Sequence, residues 1–327
     1  EILLDKQAVC SYGAKTELSM EGGRIISTEP FYAYIKIAEG CSNNCTYCAI
    51  PSIRGKYRSR RMEDIVKEAR WLAENGVTEL VVVAQDTTRY GEDIYGKSML
   101  PELLTALCEI DGFKWIRTLY CYPERITDEL LDVIAKEDKL VKYLDMPIQH
   151  CNKNILKRMN RHGDRETLTA LIKKIREKIP NVTLRTTLIT GFPGETEEQF
   201  EELCEFVKEI RFERLGCFAY SPEEGTPAEK FEDQVPLKDR ERRAEIIMEE
   251  QMIISDSLNE AALDSEVEVV CEGFDRYAEC YYGRSQADAP EIDGKIFFLS
   301  EDKVRVGEYV KVKIDDTMDY DLIGSKM

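Results

Sequence analysis

Three cysteines lie within eight residues of this chain. Cys41, Cys45 and Cys48 are separated by three and then two residues, and they follow an apolar run, residues 31–38. Thiolates are the usual ligands of iron–sulfur clusters, which take four of them when fully ligated. Because no fourth thiol stands nearby, a cluster held here would keep one iron open to a substrate or a second cofactor. The spacing therefore favours an incompletely ligated iron–sulfur cluster.

Two other interpretations of the cysteines remain open. A structural zinc ion takes four protein ligands, whereas this loop offers three, and His150 is distant in sequence. A disulfide is disfavoured by the odd number of clustered thiols. Cys10, which stands alone before the loop, is expected to be an inert thiol.

Apolar strand-like runs alternate with amphipathic helical stretches from residue 31 to about 220. Near-continuous apolar strands between helices are typical of a parallel sheet covered by helices. Six such units with right-handed connections predict an α/β fold, an open (β/α)6 partial barrel. The predicted strands are 31–38, 79–85, 115–121, 141–146, 182–190 and 214–220, and the predicted helices are 62–75, 98–110, 126–136, 152–160, 164–178 and 196–210.

In parallel barrels the chemistry gathers at the C-terminal ends of the strands. The cysteine loop lies at that end of the first predicted strand. Polar residues, glycines and an aromatic residue on or after the other strands are therefore candidates for binding a cofactor. They are Gln85, Asp86, Gln149, Arg185, Gly191, Glu195 and Tyr220.

Each of these strand ends also has a plainer explanation. The segment Gly191–Gly194 can be only a turn, with Thr196 and Gln199 forming a capping box at the start of the next helix. His150 and His162 are expected to be packed or solvated rather than catalytic.

The pattern changes near both ends of the chain. The sequence pattern predicts a lead-in or linker in residues 1–29, the barrel in residues 30–236, and a charged connecting helix in residues 237–262. Short strands in residues 263–327 predict a small all-β barrel of the OB kind. Its expected strands are 267–271, 278–282, 295–299 and 309–314.

Composition limits the functions open to this protein. The net charge of −18 argues against a generic nucleic-acid binder, since phosphate contacts need clustered Lys and Arg. No apolar run approaches the ~20 residues of a membrane span, and no signal-peptide pattern opens the sequence. Eleven cysteines without such a leader predict a reducing, cytoplasmic location and no membrane partner.

The cysteine loop, with Tyr47 before its third cysteine, resembles the signature of the radical S-adenosylmethionine (SAM) superfamily. Combined with the stretches 51–55, 59–60 and 191–195 and with the terminal β-barrel, it resembles the radical SAM methylthiotransferases, whose last domain is called TRAM. Within that family the chain most resembles the RimO type. The stretches that carry this closer resemblance are 85–91, 120–123 and 143–150.

The resemblance implies the cofactors and their contacts. Three cysteines would hold a [4Fe-4S] cluster whose open iron binds the amino and carboxylate groups of SAM. Tyr47 would pack near the adenine, Gln85 and Asp86 would meet the amino group, and Gln149 would lie near the ribose. Tyr220 would cover the adenine. Arg185, Gly191 and Glu195 would complete the cofactor-binding set, with no catalytic residue beyond the cofactor ligands.

The resemblance also implies an activity. One SAM would yield a radical that takes hydrogen from the β-carbon of an aspartate in a small-subunit ribosomal protein, and a second SAM would supply the methyl group. The sulfur would come from a second [4Fe-4S] cluster on an N-terminal domain, which we expect this chain to lack because only Cys10 precedes Cys41.

The same resemblance predicts the partners. They are a basic ribosomal protein of the small subunit and a flavodoxin- or ferredoxin-like electron donor. From Ala261 to Met327 sixteen acidic and eight basic residues give the terminal barrel a net charge of −8, which disfavours tRNA. A tRNA methylthiotransferase and a non-catalytic iron–sulfur binding module remain the alternatives.

Overall fold

The first part of the chain contains six parallel strands and one small antiparallel pair. The computed structural model describes residues 20–327, so Cys10 lies outside the described residues. The strands up to residue 219 are β1 (Tyr32–Lys36), β2 (Ala38–Glu39), β3 (Arg58–Ser59), β4 (Glu79–Val83), β5 (Trp115–Thr118), β6 (Tyr143–Asp145), β7 (Thr183–Thr190) and β8 (Arg214–Ala219).

The six parallel strands follow one another in chain order. Strands β1, β4 and β5 form one parallel sheet, and β6, β7 and β8 form another. A parallel bridge between Ile116 and Leu140 joins the two sheets. The short pair of β2 and β3 is antiparallel. The predicted α/β open barrel is therefore confirmed.

Helices cover the outer face of this partial barrel. Ile65, Ala69 and Leu72 are buried on one face of α2, as their spacing predicts, and pack against alternate residues of the strands. The helices are α1 (Ile50–Arg54), α2 (Met62–Glu74), α3 (Glu92–Tyr95), α4 (Leu100–Cys108), α5 (Asp128–Lys136), α6 (Lys153–Arg158), α7 (Arg165–Lys178), α8 (Glu197–Ile210) and α9 (Leu237–Glu260). No helix within residues 20–327 is long and apolar enough to cross a bilayer.

The C-terminal region is a closed five-stranded barrel, which confirms the predicted small β-barrel. Its last strand was not predicted from the sequence. Strand β13 pairs parallel with β11 and antiparallel with β12. The strands are β9 (Glu266–Asp275), β10 (Cys280–Arg284), β11 (Ile296–Leu299), β12 (Tyr309–Met318) and β13 (Asp321–Lys326). The domain boundaries given above remain predictions.

The loop between β10 and β11 enters the inside of the partial barrel. Strands β5, β6 and β8 contact it through inward-facing side chains. Arg117 of β5 donates to the Gln286 carbonyl at 2.9 Å, and Arg214 of β8 pairs with Asp288 at 2.6 Å. Tyr143 of β6 donates to Asp293 Oδ2 at 2.6 Å. The loop of the small barrel therefore contacts the inner face of the open barrel through polar and charged pairs.

Candidate iron–sulfur and SAM site

The cysteine loop leaves the end of β2 through a glycine that the turn requires. Gly40 has a φ of +78°, and a Cβ there would overlap the carbonyl oxygen of Lys56. Cys41 N donates to Gly55 O at 3.1 Å, and Cys48 N donates to Cys45 O at 3.1 Å. These bonds fold the loop back on itself, so that its three thiols are held within one short turn.

The three thiols have the chemistry of a cluster site. Cys41 and Cys45 are buried and Cys48 is partly exposed. All ten cysteines between residues 20 and 327 are free thiols. Burial, with a smaller contribution from the neighbouring Cys45, raises the pKa of the Cys41 and Cys48 thiols. Since metals bind the thiolate, such thiols would be deprotonated by a bound metal rather than by solvent.

The donor set fits a cubane better than one ion. Within the part of the chain that the structure describes, no three His, Cys, Asp or Glu side chains are arranged to hold a single metal ion. A cubane instead takes one thiolate on each of several irons, so its ligands need not converge on a point. The loop can hold three irons and leaves the fourth to another ligand.

Asp86 braces this loop from the end of β4. Its Oδ2 accepts from Asn43 Nδ2 at 2.8 Å, and its Oδ1 accepts from Thr88 Oγ1 at 2.5 Å. Its backbone carbonyl accepts from the buried Tyr57 hydroxyl at 2.9 Å. Both carboxylate oxygens therefore already have protein donors, and a contact of Asp86 with SAM remains a prediction.

Gln85, the residue before Asp86, has a free acceptor. Its Oε1 is buried and has no hydrogen-bond partner. An unpaired buried amide oxygen costs free energy unless a donor meets it. A ligand ammonium group would be such a donor, so Gln85 fits the predicted contact with the SAM amino group.

Two further predicted residues lie after β6 and within β7. Gln149 has a φ of +71° and lies beside β7, where its N donates to Thr187 O at 2.9 Å. Arg185 donates to Asp145 Oδ1 at 2.8 Å and lies 3.7 Å from Asp293 Oδ1. Burial raises the pKa of Asp145 even though Arg185 opposes that rise. The Arg185 side chain is thus held between two carboxylates.

Glu195 ties together the turn that follows β7. Its Oε2 accepts from Gly191 N at 2.9 Å, and its Oε1 accepts from Arg243 Nη1 at 2.8 Å. Gly191 has a φ of +67°, and a Cβ there would overlap the Arg240 side chain. Both carboxylate oxygens of Glu195 therefore already accept hydrogen bonds from the protein. Its cofactor role, like that of Gly191, remains a prediction.

The predicted capping box is confirmed, and the structure places one histidine in the core and the other at the surface. Thr196 and Gln199 form a capping box at the start of α8. His150 is fully buried, its Nδ1 accepts from Asn152 N at 2.9 Å, and its Nε2 lies 3.5 Å from Glu195. His162 is exposed to solvent.

Tyr47 and Tyr220 share one apolar wall beside the loop. The Tyr220 ring packs edge to face on Phe192, with centroids 5.2 Å apart. Tyr47 packs on the same cluster, which also contains Ile155 and Met159. The Tyr220 hydroxyl is buried without a hydrogen-bond partner. Two aromatic rings and an unpaired hydroxyl suit a flat ligand that carries polar edges.

Two residues of this site were not predicted from the sequence. The Tyr122 hydroxyl lies 3.2 Å from Cys45 Sγ, and the Arg161 guanidinium lies over the Tyr122 ring at 4.1 Å. Tyr122 belongs to the stretch 120–123, which served only to mark a type of protein. Arg161 follows α6 and carries no local signal in the sequence.

Comparison with known proteins agrees with this geometry. Residues 35–207 match the radical SAM superfamily, and residues 265–326 match the TRAM domain. The chain is 51% identical over 320 residues to a Clostridium tetani protein named ribosomal protein uS12 methylthiotransferase RimO, over 98% of this chain and 71% of that protein. A protein of the same name from Clostridioides difficile is 54% identical over 301 residues, or 92% and 68% of the two chains. The solved structure of the Escherichia coli coproporphyrinogen III oxidase HemN, a radical SAM enzyme, aligns with a TM-score of 0.48 and 22% sequence identity. The alignment covers 69% of this chain and 52% of that chain.

Proposed function

The chain belongs to the radical SAM superfamily and, within it, to the ribosomal protein uS12 methylthiotransferases, and we propose that it adds a methylthio group to the β-carbon of an aspartate in uS12. One observation carries the proposal. The three-cysteine loop lies at the C-terminal end of the first barrel strand, and Gln85, whose buried Oε1 has no hydrogen-bond partner, follows the neighbouring strand β4. That arrangement offers a cluster with an open iron and an acceptor for the ligand of that iron.

Six residues of the site have roles in this proposal. Cys41, Cys45 and Cys48 hold the [4Fe-4S] cluster, and Gln85 accepts a hydrogen bond from the ammonium group of SAM. Tyr47 and Tyr220 enclose the adenine between the loop and the turn after β7. When bound, the cluster and SAM together supply a one-electron route to hydrogen abstraction from an unactivated C–H bond. No acid or base of the chain can provide that chemistry, so the protein's own contribution is to orient the reactants and exclude water.

Metal content tests the cluster directly. After anaerobic reconstitution the chain should hold about four iron and four sulfide, as a cubane does. Replacing Cys41, Cys45 and Cys48 with Ala should abolish them. A matched variant with Ala at Cys108, Cys204 and Cys280, which lie elsewhere in the fold, should retain the full content. A full cluster in the first variant would refute the assignment of the ligands.

The charge of the terminal barrel favours a protein substrate over tRNA. The barrel carries sixteen acidic and eight basic residues from Ala261 onward. Such a surface repels phosphates and attracts a basic protein over a Debye length of ~8 Å at physiological salt. Binding to purified uS12 should therefore weaken as salt is raised, and tRNA should not bind. Micromolar, salt-sensitive tRNA binding would instead support the second candidate, a tRNA methylthiotransferase, which the shared radical chemistry also permits.

Turnover tests the reaction itself. A longer protein that carries the N-terminal, sulfur-supplying domain expected from the sequence is reconstituted, reduced and incubated with SAM and uS12, and mass spectrometry follows 5′-deoxyadenosine and the mass of uS12. Release of 5′-deoxyadenosine supports the radical chemistry, and a methylthio adduct on an aspartate supports the substrate. A flavodoxin- or ferredoxin-like electron donor and a reducing cytoplasmic setting are further parts of the proposal.

A further inference from the structure

A tyrosine hydroxyl lies against one of the three cysteines. Tyr122 OH is 3.2 Å from Cys45 Sγ, and Tyr122 follows β5 at the same end of the barrel as the cysteine loop. Either atom of the pair can donate while Cys45 is a thiol. Once Cys45 is a thiolate that ligates iron, only the phenol carries a proton, because its ordinary pKa is near 10. Tyr122 then donates and the sulfur accepts.

A buried cation lies behind this tyrosine. The Arg161 guanidinium is 4.1 Å from the centroid of the Tyr122 ring, and its side chain is 2% exposed. Its Nη2 donates to Pro147 O at 2.9 Å, while Nε has no hydrogen-bond partner. The carboxylate of Glu124 is 3.8 Å away. Arg161 is thus a buried positive charge that hydrogen-bonds Tyr47 and has its carboxylate partner 3.8 Å away, and such a charge is costly unless an anion lies nearby.

We propose that Tyr122 and Arg161 are positioning residues that act through Cys45 to raise the reduction potential of the iron–sulfur cluster. The inference rests on the proposed function, since it needs a cluster on Cys45. Reduction adds one negative charge to the cluster and its thiolates. A hydrogen bond to a ligating sulfur and a nearby cation both stabilise that added charge, and these are known determinants of cluster potential.

A redox titration of the reconstituted protein tests the proposal, with the reduced cluster measured by electron paramagnetic resonance. Tyr122→Phe removes the hydroxyl and keeps the ring under Arg161. At a fixed solution potential the ratio of reduced to oxidised cluster should fall about tenfold. For one electron this equals a shift of the reduction potential by about −59 mV. Arg161→Gln should shift the potential in the same direction, and Arg161→Lys should restore most of it. Tyr57→Phe is the matched control, because that buried hydroxyl donates to the Asp86 carbonyl rather than to a thiolate.

The outcomes separate this inference from the function on which it rests. A parent chain that binds no iron–sulfur cluster refutes the proposed function. A loaded Tyr122→Phe variant with the parent potential, or with the same shift as Tyr57→Phe, overturns the tuning role alone. If Tyr122→Phe loses its cluster, the hydroxyl is a contact that holds the loop. The reduction potentials of Arg161→Gln and Arg161→Lys then test the tuning role. Equal potentials in those two variants overturn the inference.

Discussion

Replacing Glu79 with Gln should weaken the contact between the two barrels more than any loss of a surface pair. Glu79 is fully buried at the start of β4, where its Oε1 accepts from Arg117 Nε at 3.1 Å. Its Oε2 forms an ion pair with Arg284 Nη2 of the small barrel at 2.5 Å. The side chains of both arginines are at most 2% exposed. One carboxylate therefore neutralises two buried cations, one from each domain.

The cost of the substitution follows from what each arginine retains. Arg284 keeps Glu272, whose Oε1 lies 2.6 Å from its Nε. Arg117 keeps only the Gln286 carbonyl and the face of the Tyr143 ring at 4.5 Å. One buried cation is therefore left without a counter-charge. Breaking a buried pair in this way costs about 3–5 kcal/mol of unfolding free energy.

Urea unfolding followed by tryptophan fluorescence measures this cost. Trp115 suits the assay because it is buried at the interface, with its ring 4.8 Å from that of Tyr309. Lys114→Gln is the matched control, since the Lys114–Glu268 pair crosses the same interface at 2.6 Å but is 42% and 36% exposed. That variant should lose less than about 1 kcal/mol.

The double variant Glu79→Gln with Arg117→Met should recover much of the loss, because it also removes the stranded cation. A Glu79→Gln variant as stable as Lys114→Gln would show that the buried pair does not hold the barrels together. A double variant no more stable than Glu79→Gln alone would refute the stranded-cation explanation.

The remaining predictions concern the site. Gln85→Leu should weaken SAM binding at least tenfold in calorimetry, because a hydrogen bond to a charged group contributes about 1.5–3 kcal/mol; Asp86→Asn should instead lower iron content, since it loosens the loop. Gly191→Ala should lower the melting temperature more than Gly225→Ala. Both glycines have positive φ, but only at Gly191 would a Cβ meet another side chain. Equal losses in that pair would mean that the contact with Arg240 is relieved without cost.

Much of the fold could be predicted from the sequence because periodicity records burial. Strands β1, β4, β5 and β6 are largely buried on both faces and therefore appear as apolar runs, and the helices show a single apolar face. Strand β13 was missed because it reads Asp-Leu-Ile-Gly-Ser-Lys, which lacks a clear alternation. Its Gly324 lies where a Cβ would overlap the Lys313 carbonyl. That close approach of two strands is a property of the closed barrel and has no local signal.

The site was harder to predict, because position at a strand end does not reveal which atoms are free. Gln85 and Asp86 are neighbours and appear equally suited to bind a ligand. The donors that occupy Asp86 include Asn43, which lies 43 residues earlier in the chain, and no donor reaches Gln85 Oε1. Such a difference depends on contacts between remote segments and leaves no trace in local pattern. Glu79 is the instructive exception: a carboxylate that opens an otherwise apolar strand must be paired if it is buried. Glu79 is therefore a signal in the sequence that a cation from elsewhere in the fold must reach it. The structure shows two such cations, Arg117 of the open barrel and Arg284 of the small barrel.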